Sequence, residues 1–110
     1  MLDLRLFLLQ RISALIMVPL VLGHIAVMIY AVQGGLTTGE ILGRTQGSLF
    51  WALFYGLFVA AVSVHAAIGL RVIAFEMLKI KGPWLTLFTW AICLGLLIMG
   101  GRAVIAVTVL

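Results

Sequence analysis

The chain has 110 residues, of which 65% are hydrophobic and 9% charged, with a formal net charge of +4 at pH 7. Such a composition excludes a soluble domain of this size, in which about 25% of residues are charged. The seven Lys and Arg residues are scattered along the sequence rather than clustered, which excludes a nucleic-acid-binding patch, and the single Cys93 excludes an internal disulfide.

Stretches free of Asp, Glu, Lys and Arg cover residues 12–39, 45–70 and 82–101. A spanning helix needs about 20 mostly apolar residues. The pattern therefore predicts an all-α membrane protein with three transmembrane helices, about 6–32, 49–78 and 84–107, forming one domain over 1–110.

In the first span, Arg5 and Arg11 precede an apolar run that reaches about Val32. A signal-peptide core is only about 7–15 residues long, so a retained helix is expected. No amphipathic, Ser- and Arg-rich presequence stands ahead of it, an expectation of a bacterial inner membrane rather than an imported organellar protein. Gln10, Arg11 and Ser13 lie near the start of this span, and Pro19 should bend it unless a neighbour re-satisfies the freed carbonyl. His24 is 13 residues beyond Arg11, about 20 Å along the axis, and nearly on the face of Ser13.

Residues 33–47 are rich in glycine and read as a connection, with Thr38-Gly-Glu-Ile-Leu able to open a short interfacial helical turn. In the second span Phe50, Trp51 and Tyr55 form an interfacial aromatic belt. Towards its other end come His65, Gly69, Arg71 and Glu76, the only place where ionisable chemistry is planted within an apolar run. Such residues are costly in a bilayer and mark a site by default. Gly69, one turn from His65, leaves room for something flat beside the imidazole. Lys79 to Pro83 form a turn, and the third span carries Thr86, Thr89, Gly95, Gly100 and Gly101, residues suited to close helix packing.

Arg5, Arg11, Arg71, Lys79 and Lys81 fall on one side of a three-helix path, against Arg44 and Arg102 on or near the other. The positive-inside bias then puts the N-terminus in the cytoplasm.

A neutral imidazole on an apolar helix is a common ligand to haem iron. No C-x-x-C-H motif is present, so such a haem would be held without covalent attachment. The alternative is an imidazole that merely bonds to a neighbouring helix. From the level of the two arginines, His24 is about 20 Å away and His65 only about 9 Å. Either His65 alone binds haem, or the two serve different haems, and in both cases the opposing ligand comes from another chain. Arg11 and Arg71 suit haem propionates or a quinone oxygen, with snorkelling anchors as the alternative. Glu40 and Glu76 lie near helix ends, which leaves little for an ion relay in a transporter.

Gln10-Arg11-Ile-Ser13-Ala, an acid-free span, and then His65-Ala-Ala-Ile-Gly69-Leu-Arg71 with Glu76 resemble the small cytochrome b anchor subunits of succinate dehydrogenase and fumarate reductase, complex II. The resemblance covers essentially the whole chain. It implies haem b, one or two per complex, shared with a second membrane-anchor subunit, and attachment of the iron–sulfur and flavoprotein subunits to the membrane lipid. It further implies electron transfer from the iron–sulfur subunit to quinone, with no nucleic acid involved and no succinate chemistry on this chain. By motif position His65 is the iron ligand, while Arg11, Ser13 and Arg71 lie near the quinone or the propionates. His24 matches the two-haem members of the family, where it would serve a different iron. Two departures stand out: Glu76 and Met77 occupy the place of a usual Asp, often followed by Tyr, and Gln10 stands where one anchor type has His. The alternative function is a haem-free structural anchor of a peripheral respiratory enzyme.

Overall fold

The computed structural model describes residues 3–109. They form four helices, α1 (Leu4–Gly34), α2 (Thr38–Thr45), α3 (Leu49–Leu78) and α4 (Pro83–Thr108). Of these α1, α3 and α4 are long and apolar enough to cross a membrane. At 1.5 Å per residue they run about 39 to 46 Å, longer than a hydrocarbon core of about 30 Å. Their ends therefore project into the interfaces or the helices tilt.

Each helix begins and ends where local chemistry stops it. Asp3 caps α1 by accepting from the Leu6 amide at 2.9 Å, and the helix continues through Pro19 to Gly34, two residues longer at each end than the apolar pattern predicts. Residues 38–45 make a full eight-residue helix rather than a single turn. Its start is a capping box: the Thr37 hydroxyl accepts from the Glu40 amide at 3.2 Å and donates to the Glu40 carboxylate at 2.7 Å. Arg44 closes the connection by donating to the Gly35 carbonyl at 2.8 Å. Ser48 caps α3, and Lys79 ends it in the left-handed region at φ 60°. Gly82, at φ 69°, makes the turn into Pro83 at the head of α4.

The middle of the molecule is α3, which packs against α1 on one side and α4 on the other, while α1 and α4 scarcely touch. Its buried positions are small, Ala61, Ser63, Ala67 and Ala74, with Ile68 the one large side chain among them. Small residues let helix backbones approach where lipid provides no hydrophobic drive to association. The closest approach lies at Gly100 of α4, where a Cβ would stand 2.6 Å from Val59 Cγ1. Polar ties fasten the far end: Thr45 of α2 donates to the Val107 carbonyl at 2.6 Å, and the Gly47 amide to the Thr108 carbonyl at 2.7 Å. Large apolar side chains cover the outside, Leu15, Leu22, Ile98 and Met99 all being more than 60% exposed, as a bilayer and neighbouring helices require.

Gly100→Val should overpack the α3–α4 crossing and cost about 1–3 kcal/mol. A drop of several degrees in the unfolding temperature of the detergent-solubilised protein is expected, partly recovered by adding Val59→Ala. Gly95→Ala, where a Cβ meets nothing within 4 Å, should leave that temperature unmoved.

Candidate functional site

Gln10, Ser13, Met17, Leu20 and His24 recur at intervals of three and four residues, so they share the face of α1 turned to α3. Ser13 and Leu20 are buried there. The site grows from this seam. Ser13 Oγ lies 3.3 Å from His65 Nδ1 of α3 and donates to the Gln10 carbonyl at 3.0 Å. The space above Gly69 is taken by the Gln10 side chain, whose Nε2 lies 3.5 Å from where a Cβ would stand. The room expected there for a flat ligand is thus filled by an amide from the neighbouring helix.

His65 is only half-buried. It lines a groove of about 390 Å³ along the outer flank of α1, with Ala14, Met17, Val18, Val21 and Leu22 as the other walls. Arg11 is exposed and continues the stripe of Ala14, Val18 and Leu22 towards the N-terminal end of α1. Its guanidinium rests 5.8 Å from the Phe7 ring.

Arg71 goes elsewhere. Six residues beyond His65 on the same helix, it is rotated by about 120° around the axis. Its Nη1 donates to Thr89 Oγ1 of α4 at 3.1 Å, and Thr89 in turn donates to the Leu85 carbonyl at 2.8 Å. Arg71 lines a second cavity, of about 540 Å³, with Arg5, Leu9, Ile68, Thr86, Trp90 and Cys93 among its walls. Two buried polar atoms at these places, Gln10 Oε1 and Arg71 Nε, have no hydrogen-bond partner among the described residues. An orphaned buried group costs about 1–3 kcal/mol, so the helix seams bear a polar cost at both places.

His24 occupies a third place. Because Ser13 stands at the level of His65 and His24 is 11 residues further on, the imidazoles differ in depth by about 16 Å. The His24 ring packs 5.0 Å from Phe58 and edge-on to Tyr55 at 6.2 Å. It faces a cavity of about 380 Å³ walled by Thr45, Val59, Val104 and Val107 as well. Glu76 is exposed at the end of α3 beside Phe75, Lys79 and Lys81. The structure thus brings together His65, Ser13, Gly69 and Gln10, and separates Arg71, Arg11 and His24 from that cluster. Sequence reasoning missed Gln10 and Thr89 as parts of these sites. The only signals available were a polar residue one turn before Ser13 and a hydroxyl on the third span at the level of Arg71.

Among the described residues no three His, Cys, Asp or Glu side chains converge, so each imidazole acts singly. A single nitrogen offered from an apolar helix suits an axial position on a metal already held by a macrocycle.

Three apolar helices with ionisable groups turned into seams and grooves define a multi-pass membrane protein. Residues 2–100 match the family of succinate dehydrogenase/fumarate reductase transmembrane subunits, and the chain belongs to it. It is therefore a membrane subunit of a complex with other subunits. No curated protein and no solved structure gives a significant match.

Thr89→Val should strip the Arg71 guanidinium of its one hydrogen-bond acceptor and lower stability by about 1–3 kcal/mol. Thr89→Ser should hold the unfolding temperature near that of the unaltered protein. Equal melting of the two variants would show that the Arg71–Thr89 bond carries no weight.

Proposed function

We propose that this chain is an anchor subunit of a succinate:quinone oxidoreductase that holds one haem b jointly with a second anchor subunit. The observation that carries this is His65: a half-buried imidazole, bonded on its Nδ1 side within the chain and bordering an open apolar groove on its flank. The donor set fits the group. His65 would hold it through one ring nitrogen, and Ala14, Val18 and Val21 offer an apolar wall. A further ligand to the haem would come from the partner anchor, because the other imidazole of this chain, His24, is about 16 Å away in depth. Bound there, haem b supplies a one-electron carrier, whose potential the protein tunes through its ligands and surroundings.

The two arginines divide the remaining work. Arg11, on the stripe that borders the His65 groove, suits a propionate. Arg71 suits the quinone: its cavity has the size of small-molecule sites, about 300–1,000 Å³, with apolar walls for the ring. A guanidinium donates best to an oxygen that gains negative charge as the ring is reduced. Arg71 Nε has a donor to spare for that purpose.

His24 is a weaker haem ligand by position. A macrocycle placed against it would have to displace Phe58 or Tyr55 and to enter a cavity walled by helices of this same chain. The haem-free anchor remains the second reading, because the Ser13–His65 contact is also what an interhelical tie would look like. Spectroscopy separates the two. The assembled complex should show a reduced-minus-oxidised b-type band that His65→Ala abolishes, with succinate oxidation by the soluble subunits retained when an artificial acceptor replaces quinone. A full-intensity band in that variant would falsify the ligand assignment, and a complex with no Soret absorbance would establish the haem-free anchor. Pyridine haemochrome analysis should give one haem per complex, unchanged by His24→Ala, whereas a value of two that falls to one would assign His24 a haem of its own.

The site of action is the bacterial cytoplasmic membrane, with the His65–Arg71 end of α3 inside. The iron–sulfur subunit, itself bound to the flavoprotein, docks at that end, near Glu76, Lys79 and Lys81. The charge bias supports this orientation. Cysteines introduced at Lys81 and, separately, at Arg44 test it in right-side-out vesicles. An impermeant maleimide should label only the Arg44→Cys protein, and the reverse pattern would invert the topology.

A further inference from the structure

The hydrogen bonds of the α1–α3 seam bear on which nitrogen of His65 carries the proton. A serine hydroxyl has one proton and two lone pairs. In Ser13 that proton is directed to the Gln10 carbonyl, an obligate acceptor, at 3.0 Å. Only lone pairs are left on Ser13 Oγ to face His65 Nδ1 at 3.3 Å. An oxygen lone pair is attracted to a ring nitrogen only when that nitrogen bears hydrogen. With the hydroxyl proton so directed, His65 takes the Nδ1–H tautomer and keeps its free pair on Nε2, the other ring nitrogen.

The surroundings make this arrangement rigid. Ser13 is 6% exposed, and 52 residues of chain separate it from His65, so the bond is a packed contact between helices rather than a local turn. Over Gly69 the Gln10 amide fills the next turn of α3 and bars the imidazole from swinging down the helix. At 3.3 Å the bond is at the long end of the range, which suits orientation more than binding strength.

We infer that Ser13 is a positioning residue for His65: it selects the Nδ1–H tautomer and aims Nε2 away from the seam. This rests on the haem reading above. Outer partners of a metal-bound imidazole act in this way elsewhere, and their loss costs on the order of 10- to 100-fold in affinity.

The test uses the assembled complex carrying Ser13→Ala, Ser13→Thr or Ser13→Cys, with haem content and midpoint potential read from the b-type band. Ser13→Ala should lower haem occupancy on the order of 10-fold under limiting haem. It should also move the midpoint potential upward, because a ring that has lost its hydrogen-bond acceptor would donate less electron density to the oxidised iron. Ser13→Thr, which keeps the hydroxyl, should restore both values. Should the alanine variant fail to assemble, Ser13→Cys, nearly the same size and a poorer acceptor, should show the same upward shift. An unchanged potential in whichever of these two variants assembles would overturn the inference. His65→Ala, measured beside them, keeps the outcomes apart: a b-type band that survives it defeats the haem reading itself, whereas a band lost in His65→Ala but unaltered by the Ser13 variants defeats only the role of Ser13.

Discussion

The bilayer interior imposes the constraint on which the molecule depends: a polar group without a partner there costs several kcal/mol, and no water is at hand to relieve it. Most of the chain avoids the problem by carrying no polar side chains. Several of those that occur on the spans are tied off in pairs and short chains. Ser13 serves both Gln10 and His65, Thr89 serves both Arg71 and Leu85, and Thr45 joins α2 to the end of α4. Each tie also fixes the rotation of one helix against another, which apolar contact with lipid-like surfaces leaves loose. The register of α1 on α3 follows from the Ser13–His65 bond, and that of α4 on α3 from Arg71–Thr89 together with the close passage of Gly100 past Val59.

With its two neighbours on different sides, α3 gives the molecule two working flanks rather than one enclosed core. His65 opens on one and Arg71 on the other, although only six residues separate them. That arrangement keeps the His65 groove and the Arg71 cavity on the same helix without merging them. It also explains the small residues of α3: Ala61, Ser63, Ala67 and Ala74 let the central helix be packed from two directions while the long polar side chains are directed past its neighbours.

The three spans were legible because charge-free windows and a minimum length leave little choice of fold, and His65 stood out as an ionisable group in an apolar run. Orientation about each helix axis was not legible. Periodicity says that Gln10, Ser13 and His24 share a face, yet it does not say which helix that face meets. Hence Gly69 read as room for a ligand, where Gln10 fills it, and Arg11 and Arg71, at one depth, read as alternatives for the same roles although they lie on different flanks. Depth comes from counting residues along an axis. Azimuth depends on side-chain pairing between helices, and a hydroxyl such as Thr89 carries no sign in the sequence that it will meet an arginine 18 residues away. The length of α2 was hidden for a related reason: its stability comes from the Thr37–Glu40 capping box and the Thr45 tie to α4 more than from the propensity of a glycine-containing segment.

What the chain does not satisfy within itself is as informative as what it does. The His65 groove has walls from α1 and none from α4, the outer faces of α1 and α4 remain apolar and exposed, and Gln10 Oε1 and Arg71 Nε are buried without partners among the described residues. A monomer meant to act alone would have little reason to bear the cost of those two atoms. In a subunit such atoms are reasonable, and Arg71 also lines a cavity between the helices. The same physics that forces polar groups to pair inside the chain thus leaves these two unpaired among the described residues, in a chain whose family makes it one subunit of a larger complex.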